Sequence, residues 1–153
     1  MDKSKIPAGQ RQALGALMDD HRAVKKLFKS FEQSKSNKES IAGETCNQLA
    51  MHARIEEEIF YPALRGVSDD LDALLDEAKV EHGVAKDLIA AIRRAADSDR
   101  LEATYKVLTE YVGHHVEEEE GEMFEAVIKQ NVDLREVATR MATLKEELLA
   151  LAA

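Results

Sequence analysis

The 153-residue chain contains one cysteine, two prolines and seven glycines, and aromatic side chains make up 5% of it. A single cysteine, Cys46, cannot close an intramolecular disulfide, so stability has to come from packing or from a metal. So few prolines and glycines leave long stretches with nothing to break a helix. No apolar run approaches the ~18 residues of a membrane span, and the opening MDKSKIPAGQ lacks a hydrophobic secretory segment. A cytoplasmic protein is expected. A surplus of positive charge is missing too: 21 Lys and Arg against 30 Asp and Glu leave a net charge of −9. That balance argues against nucleic acid or an anionic membrane as partner.

What remains is 44% hydrophobic and 33% charged, enough apolar mass for a core. Strong helix formers dominate, and the β-branched residues do not alternate along the chain, so the fold class is all-α. The expected arrangement is a single domain over residues 1–153: an up-down-up-down four-helix bundle with an additional short C-terminal helix. The bundle should occupy about 8–130 and the last helix about 133–149. Pro7 precedes a first helix from Ala8 to Glu32. Ser36 with Glu39 reads as a capping box for the second, which fades beyond Pro62. Ser68 is a plausible N-cap for the third, reaching Asp97. Asp99 with Glu102 and Asp133 with Glu136 form two further boxes, the first opening a helix that ends near Gln130. Short loops force successive helices to run antiparallel. The C-terminal helix then packs outside or makes an oligomer contact, leaving the chain a monomer or a homodimer. No internal repeat is visible.

Each bundle helix carries an apolar stripe with polar interruptions. Leu14, Leu17, Val24 and Phe28 skip position 21; Ile41, Thr45, Leu49 and Ile59 skip 52 and 56. Leu71, Leu75, Ala78, Ala85 and Ile89 skip 82; Leu101, Tyr105, Leu108, Val112 and Met123 skip 115 and 119. The interruptions are His21, His52, Glu56, His82, His115 and Glu119. Residues four apart share a helix face, so His52 with Glu56 and His115 with Glu119 point inward together. All four histidines lie near the midpoints of their helices, and in an antiparallel bundle midpoints share one height. Four imidazoles and two carboxylates therefore converge in one layer. Buried carboxylates are costly without a compensating cation, and neither Lys nor Arg occurs on these stripes, so a metal is the expected source of charge. Six nitrogen and oxygen donors exceed one tetrahedral zinc and suit two ions. Imidazole with carboxylate and no thiolate favours iron, manganese or zinc.

These residues resemble the hemerythrin-like, HHE cation-binding family. The resemblance rests on Asp20-His21-Arg22, on His52-Ala-Arg-Ile-Glu56-Glu57 leading to Phe60-Tyr61-Pro62, on Glu81-His82, and on His115-Val-Glu-Glu-Glu119-Glu120 leading to Met123-Phe124. It covers roughly residues 11 to 130. It implies a non-haem site of two iron ions held by those six residues, the glutamates bridging and an oxo or hydroxo group often completing the bridge. An open position would accept dioxygen or a related small ligand. Zinc or manganese are the lesser alternatives. Aligning the two His-x-x-x-Glu motifs puts His115 opposite His52 and leaves His114 as a flanking residue beside Glu118.

Two departures from the family stand out. The oxygen carriers have a second histidine four residues after the helix-three ligand, and here that residue is Lys86. Tyr61, Tyr105, Tyr111, Glu118 and Glu122 are conceivable substitutes. The second motif has Glu125 in place of the proline, so helix four should continue without a kink. Glu117 to Glu120 with Glu122 reads as a solvated face apart from Glu119. Gly83 and Gly113 either allow close helix approach or are simply tolerated, and Cys46 reads as a packing residue. The function expected is binding or sensing of dioxygen, iron, nitric oxide or peroxide. Peroxide dismutation or ferrous oxidation by the same two ions is the enzyme alternative, and a structural zinc bundle is the third.

Overall fold

The computed structural model describes residues 1–95 and 99–152. They form five helical rods and a 3₁₀ turn at Lys3–Lys5, with no strand among the described residues. α1 spans Ala8–Gln33. α2 runs as Lys38–Ile55, passes through a π turn at Glu56–Phe60 and finishes as Tyr61–Leu64. α3 spans Asp69–Arg94; the end expected at Asp97 lies outside the described residues. α4 repeats the pattern of α2, as Arg100–Glu118, a π turn at Glu119–Met123, then Phe124–Lys129. α5 spans Arg135–Ala152. No helix among the described residues is long and apolar enough to cross a membrane.

One of the expected caps forms as drawn: the Ser68 hydroxyl accepts from the Leu71 N–H at 3.1 Å. The other three differ. α2 begins after Asn37, whose N–H donates to the Ser34 hydroxyl at 3.1 Å, and Ser36 is not its cap. Asp99 stands at the start of α4 without a capping bond, and Asp133 accepts from Arg135 N–H, two residues on, at 3.1 Å. Short polar side chains bond whichever N–H the turn presents, and spacing alone does not fix which one.

The rods are buried above and below one polar layer. On α1, Leu14, Leu17 and Met18 belong to one apolar cluster, Val24 and Phe31 to another, and His21 lies between. The same order holds on α3, where Leu71, Leu75 and Ala78 are separated from Ile89 and Ile92 by His82. α2 and α4 read in the opposite sense, their upper-cluster residues Cys46 and Leu108 coming before His52 and His115 in the chain. Cys46 is fully buried there as packing. α5 is not free for an oligomer contact along its stripe. It lies on α1 and α2, and Val137, Ala138 and Met141 complete the lower cluster. Two bonds pin the segment before it to the start of α1, Leu134 N–H to Gly9 C=O at 3.0 Å and the Gln10 amide to Val132 C=O at 2.5 Å.

The fourth helix runs on past Glu119 to Lys129, but it does so through a π turn that the absence of proline did not foretell. Proline is not the cause of the π turn, because the turn forms at Glu119 with no proline just as it does at Glu56 ahead of Pro62. Tyr61 N–H reaches back to Glu56 C=O, and Phe124 N–H to Glu119 C=O, five residues each. The extra residue moves the next buried position one step along. Leu64 and Val127 are fully buried where Ala63 and Ala126 would otherwise have faced the core. Gly83 and Gly113 have nothing within 4 Å of the place a Cβ would take, so neither serves a close approach.

Candidate metal centre

The six interrupting side chains are brought together. Glu56 is 0% and Glu119 2% exposed, and His21, His52 and His82 are buried. His115 is nearly so, its side chain 13% exposed. His114 points elsewhere, 64% exposed and 3.0 Å from Glu118 Oε1. Two donor groups share Glu56. One comprises His21, His52, Glu56 and Glu119, the other Glu56, His82 and His115, with the ligand atoms of each group within 4.8 Å of one another. Glu56 Oε1 faces His52 Nε2 at 3.1 Å and His82 Nε2 at 3.3 Å. Glu119 divides its oxygens, Oε1 3.3 Å from His21 Nε2 and Oε2 3.4 Å from His115 Nε2.

Each imidazole is held from behind. His52 Nδ1 is 2.9 Å from Asp20, His82 Nδ1 2.8 Å from Glu57, His115 Nδ1 2.8 Å from Glu81, and His21 Nδ1 2.6 Å from Glu120. Asp20 is on α1, Glu57 on α2, Glu81 on α3 and Glu120 on α4. Each rod therefore orients the histidine of the next, and the four pairs close a ring around the bundle. A carboxylate on Nδ1 fixes that proton outward and leaves the Nε2 lone pair facing in. The sequence reading missed this ring. Glu120 belongs to a run of acids that reads as a solvated face, yet it is partly buried against His21. The signal was there: every ring acid sits one residue from a stripe donor, and one residue turns ~100° around a helix, toward the neighbouring rod.

Inward, the hydrogen bonding stops. His21 Nε2, His52 Nε2, His115 Nε2, both oxygens of Glu56 and Glu119 Oε1 are buried without a hydrogen-bond partner. Buried polar groups left so are expensive, and six in one layer are a set of donor atoms aimed at a common space. Nitrogen and carboxylate donors without thiolate fit iron, manganese or zinc. Burial pushes the His115 imidazole down, but the Glu119 carboxylate 3.4 Å from its Nε2, with the charge of Glu56, lifts it to about 9. Burial acts the same way on His52, and Glu56 and Asp20 lift it well above its ordinary value. Without a metal, the histidines themselves supply the positive charge.

Of Tyr61, Tyr105, Tyr111, Glu118 and Glu122, Tyr61 alone reaches the layer among the described residues. Its hydroxyl donates to Glu119 Oε2 at 2.5 Å and lies 3.2 Å from His82 Nε2. Burial and then the charges of Glu119 and Glu56 push the phenol well above its ordinary value, keeping it neutral. Tyr105 bonds Thr45 in the upper cluster at 2.8 Å. Tyr111 lines an apolar cleft between the rods, and Glu122 is exposed. Lys86 turns to Glu57 Oε1 at 2.5 Å.

The backbones of α1 and the Arg100–Glu118 stretch of α4 stand apart, bridged toward one end by Phe31 stacked on Tyr105 with ring centroids 3.7 Å apart. Between the rods a cleft of about 1220 Å³, walled by Val24, Phe28, Leu49, Ile89, Val112 and Val116, reaches the four histidines and Glu56.

No curated protein matches the sequence. The fold is similar to the crystal structure of a hemerythrin HHE cation-binding domain-containing protein from Mycobacterium kansasii, with a TM-score of 0.74 at 23% identity over 89% of this chain and 86% of that one. The model of the hemerythrin HHE cation-binding domain matches residues 12–127, which takes in both donor groups and all four acids of the ring. The chain belongs to the hemerythrin HHE cation-binding domain family.

Proposed function

We propose that the bundle, wound up-down-up-down with α5 outside it, holds a pair of iron ions between His21, His52, Glu56, His82, His115 and Glu119. The pair would bind dioxygen or a related small ligand such as nitric oxide or peroxide. The observation that carries this reading is the set of inward-facing donor atoms, buried and unpartnered, each imidazole fixed from behind by a carboxylate. His21 and His52 would serve one ion, His82 and His115 the other, and Glu56 and Glu119 both. Iron held there would supply redox chemistry and affinity for a small ligand. The protein's own part is to orient four imidazoles, to place the neutral Tyr61 hydroxyl on Glu119, and to admit a small molecule through the apolar cleft. Lys86, engaged with Glu57, donates nothing to the layer, so the ion near His82 would have one histidine fewer than in the oxygen carriers.

Anaerobic titration with ferrous iron, followed by metal analysis, tests this. Two irons per chain are expected, with an absorbance change on admitting oxygen. A clean zinc stoichiometry from iron-supplemented cells would support the structural alternative and sink this one. The cleft and the missing histidine favour a second reading, turnover in place of storage, as dismutation of peroxide or oxidation of ferrous iron. Oxygen evolution from peroxide over many turnovers separates it from reversible binding.

A further inference from the structure

The ring of acids is closed on its inner side but uneven on its outer side. Three of the four carboxylates are each met from outside by a cation. Lys145 Nζ on α5 is 2.8 Å from Asp20, Lys86 Nζ is 2.5 Å from Glu57, and the amino terminus of Met1 is 3.9 Å from Glu120. Glu81 has no such partner among the described residues. What faces it from α4 is His114 and Glu118, one turn apart, with His114 Nε2 3.0 Å from Glu118 Oε1. One donor atom from each of Glu81, His114 and Glu118 lies within 4.8 Å of the other two. At this fourth place a second carboxylate and an imidazole occupy the ground that a lysine or an amino terminus holds elsewhere.

We propose that Glu81, His114 and Glu118 form a peripheral site for a divalent transition-metal ion of the zinc, cobalt or ferrous class. An ion with bonds of about 2.0–2.2 Å draws one imidazole and two carboxylates from three sides, and their present separations need only side-chain motion to get there. The nitrogen donor selects this class over calcium or magnesium, which take oxygen. His114 and Glu118 sit at i and i+4, so they project from one face as a chelating pair. With their oxygens within 4.8 Å of one another the Glu81 and Glu118 carboxylates repel, and a dication removes that repulsion. His114 is mostly exposed, so the ion keeps water ligands and exchanges readily. Through Glu81, which holds His115 Nδ1, it completes the outer charge of the ring and acts on His115 as Lys145 acts on His52 and Lys86 on His82.

The site stands whether or not the inner layer carries iron, and its test keeps the two apart. Protein saturated with metal and dialysed is titrated with Zn²⁺ in a calorimeter, beside His114→Ala and Glu118→Gln. One additional weak equivalent is expected in the parent. It should be at least about tenfold weaker in each variant, the loss that even an outer-shell partner commonly causes. Inner metal content and melting temperature should be unchanged, since both side chains are on the surface. Binding that survives both substitutions undiminished, or a parent that takes up no more zinc than His114→Ala, overturns the proposal. If the inner layer proves to hold no metal at all, the difference between parent and His114→Ala still reports on the outer site alone.

Discussion

The polar layer is built from two halves. α1 and α2 contribute Asp20, His21, His52, Glu56 and Glu57; α3 and α4 contribute Glu81, His82, His115, Glu119 and Glu120. In both halves an acid precedes the first histidine, His-x-x-x-Glu follows on the second rod, and a π turn starts at the glutamate. After the π turns the halves diverge. Tyr61 sends its hydroxyl across to Glu119 and His82, whereas the corresponding Phe124 lays its ring near His21, centroids 6.4 Å apart and planes within 15°. One histidine pair therefore has a hydrogen-bond donor beside it and the other a hydrocarbon wall. The shared frame fixes where the donors stand, and the single exchange of Tyr for Phe sets the chemical difference between the two ions proposed.

The sharpest way to break the comparison is to remove what the halves share. Glu56→Ala or Glu119→Ala should empty both positions together, because each carboxylate faces a histidine of either half. Metal analysis should find almost none of the parent content. A variant that loses one ion and keeps the other would mean that the glutamates are not shared. His115→Ala should also lose metal, while His114→Ala should retain the inner content. Equal loss from the two would reverse their assignment.

The stripe residues were legible because a gap in an apolar pattern at helical spacing can only point inward. The four histidines, both glutamates and the choice of His115 over His114 all follow from that reasoning, and so do the five rods. The ring acids were not legible in this way. Asp20, Glu57, Glu81 and Glu120 lie one residue off the stripe, where an acid on a helix normally meets water, and their partners lie on a different rod. The π turns were hidden for a related reason. A pattern read at a fixed period cannot register one inserted residue, although Phe60-Tyr61 with Leu64, and Met123-Phe124 with Val127, carry its trace. The chain as a whole shows no repeat, because duplication is confined to the side chains that meet in the layer.

Removing the metal should expose a pH dependence that both halves share. The His115 pKa is lifted from an unfolded value near 6.5 to about 9 by Glu119 and Glu56, and His21, His52 and His82 are lifted as well. A raised folded pKa means that the pairing stabilises the fold fully below pH ~6.5 and that this contribution is lost as pH rises through about 9. The melting temperature of metal-free protein should therefore fall across that window. Metal uptake should improve over the same window, since the ion displaces protons from the same nitrogens. A flat melting profile between those limits would contradict the pairing.

A smaller effect is expected from making the halves alike. Tyr61→Phe gives both π turns a phenyl group and removes the hydrogen bond to Glu119. Metal content should be retained, with affinity lowered about tenfold, the lower end of what outer-shell partners contribute. The absorption spectrum of the loaded protein should shift. Phe124→Tyr tests the converse, a phenol brought toward His21, and should shift the spectrum without restoring what Tyr61→Phe removes. If Tyr61→Phe leaves spectrum and affinity untouched, the phenol is only packing and the difference between the ions must originate elsewhere.

The smallest expected effect belongs to the outer lysines, and it bears on what α5 contributes. Lys145 is the one charged group of α5 that meets the ring, through Asp20 to His52, and Lys86 does the same through Glu57 to His82. Their side chains are 46% and 56% exposed, so each pair is worth at most about 1 kcal/mol. Lys145→Met and Lys86→Met should each speed iron release to a chelator about two- to fivefold, without changing how much iron is held at the start. Deleting α5 after Gln130 differs in kind. It removes Lys145 but also uncovers Leu14, Phe60 and the rest of the lower cluster, which Val137, Ala138 and Met141 now close. Solubility should collapse well before the metal is lost. If Lys145→Met alone destabilises the protein as much as that deletion does, then α5 is held to the bundle by charge and its apolar stripe is incidental. If instead the two lysine variants release iron at the parent rate, the ring orients its histidines without help from outside.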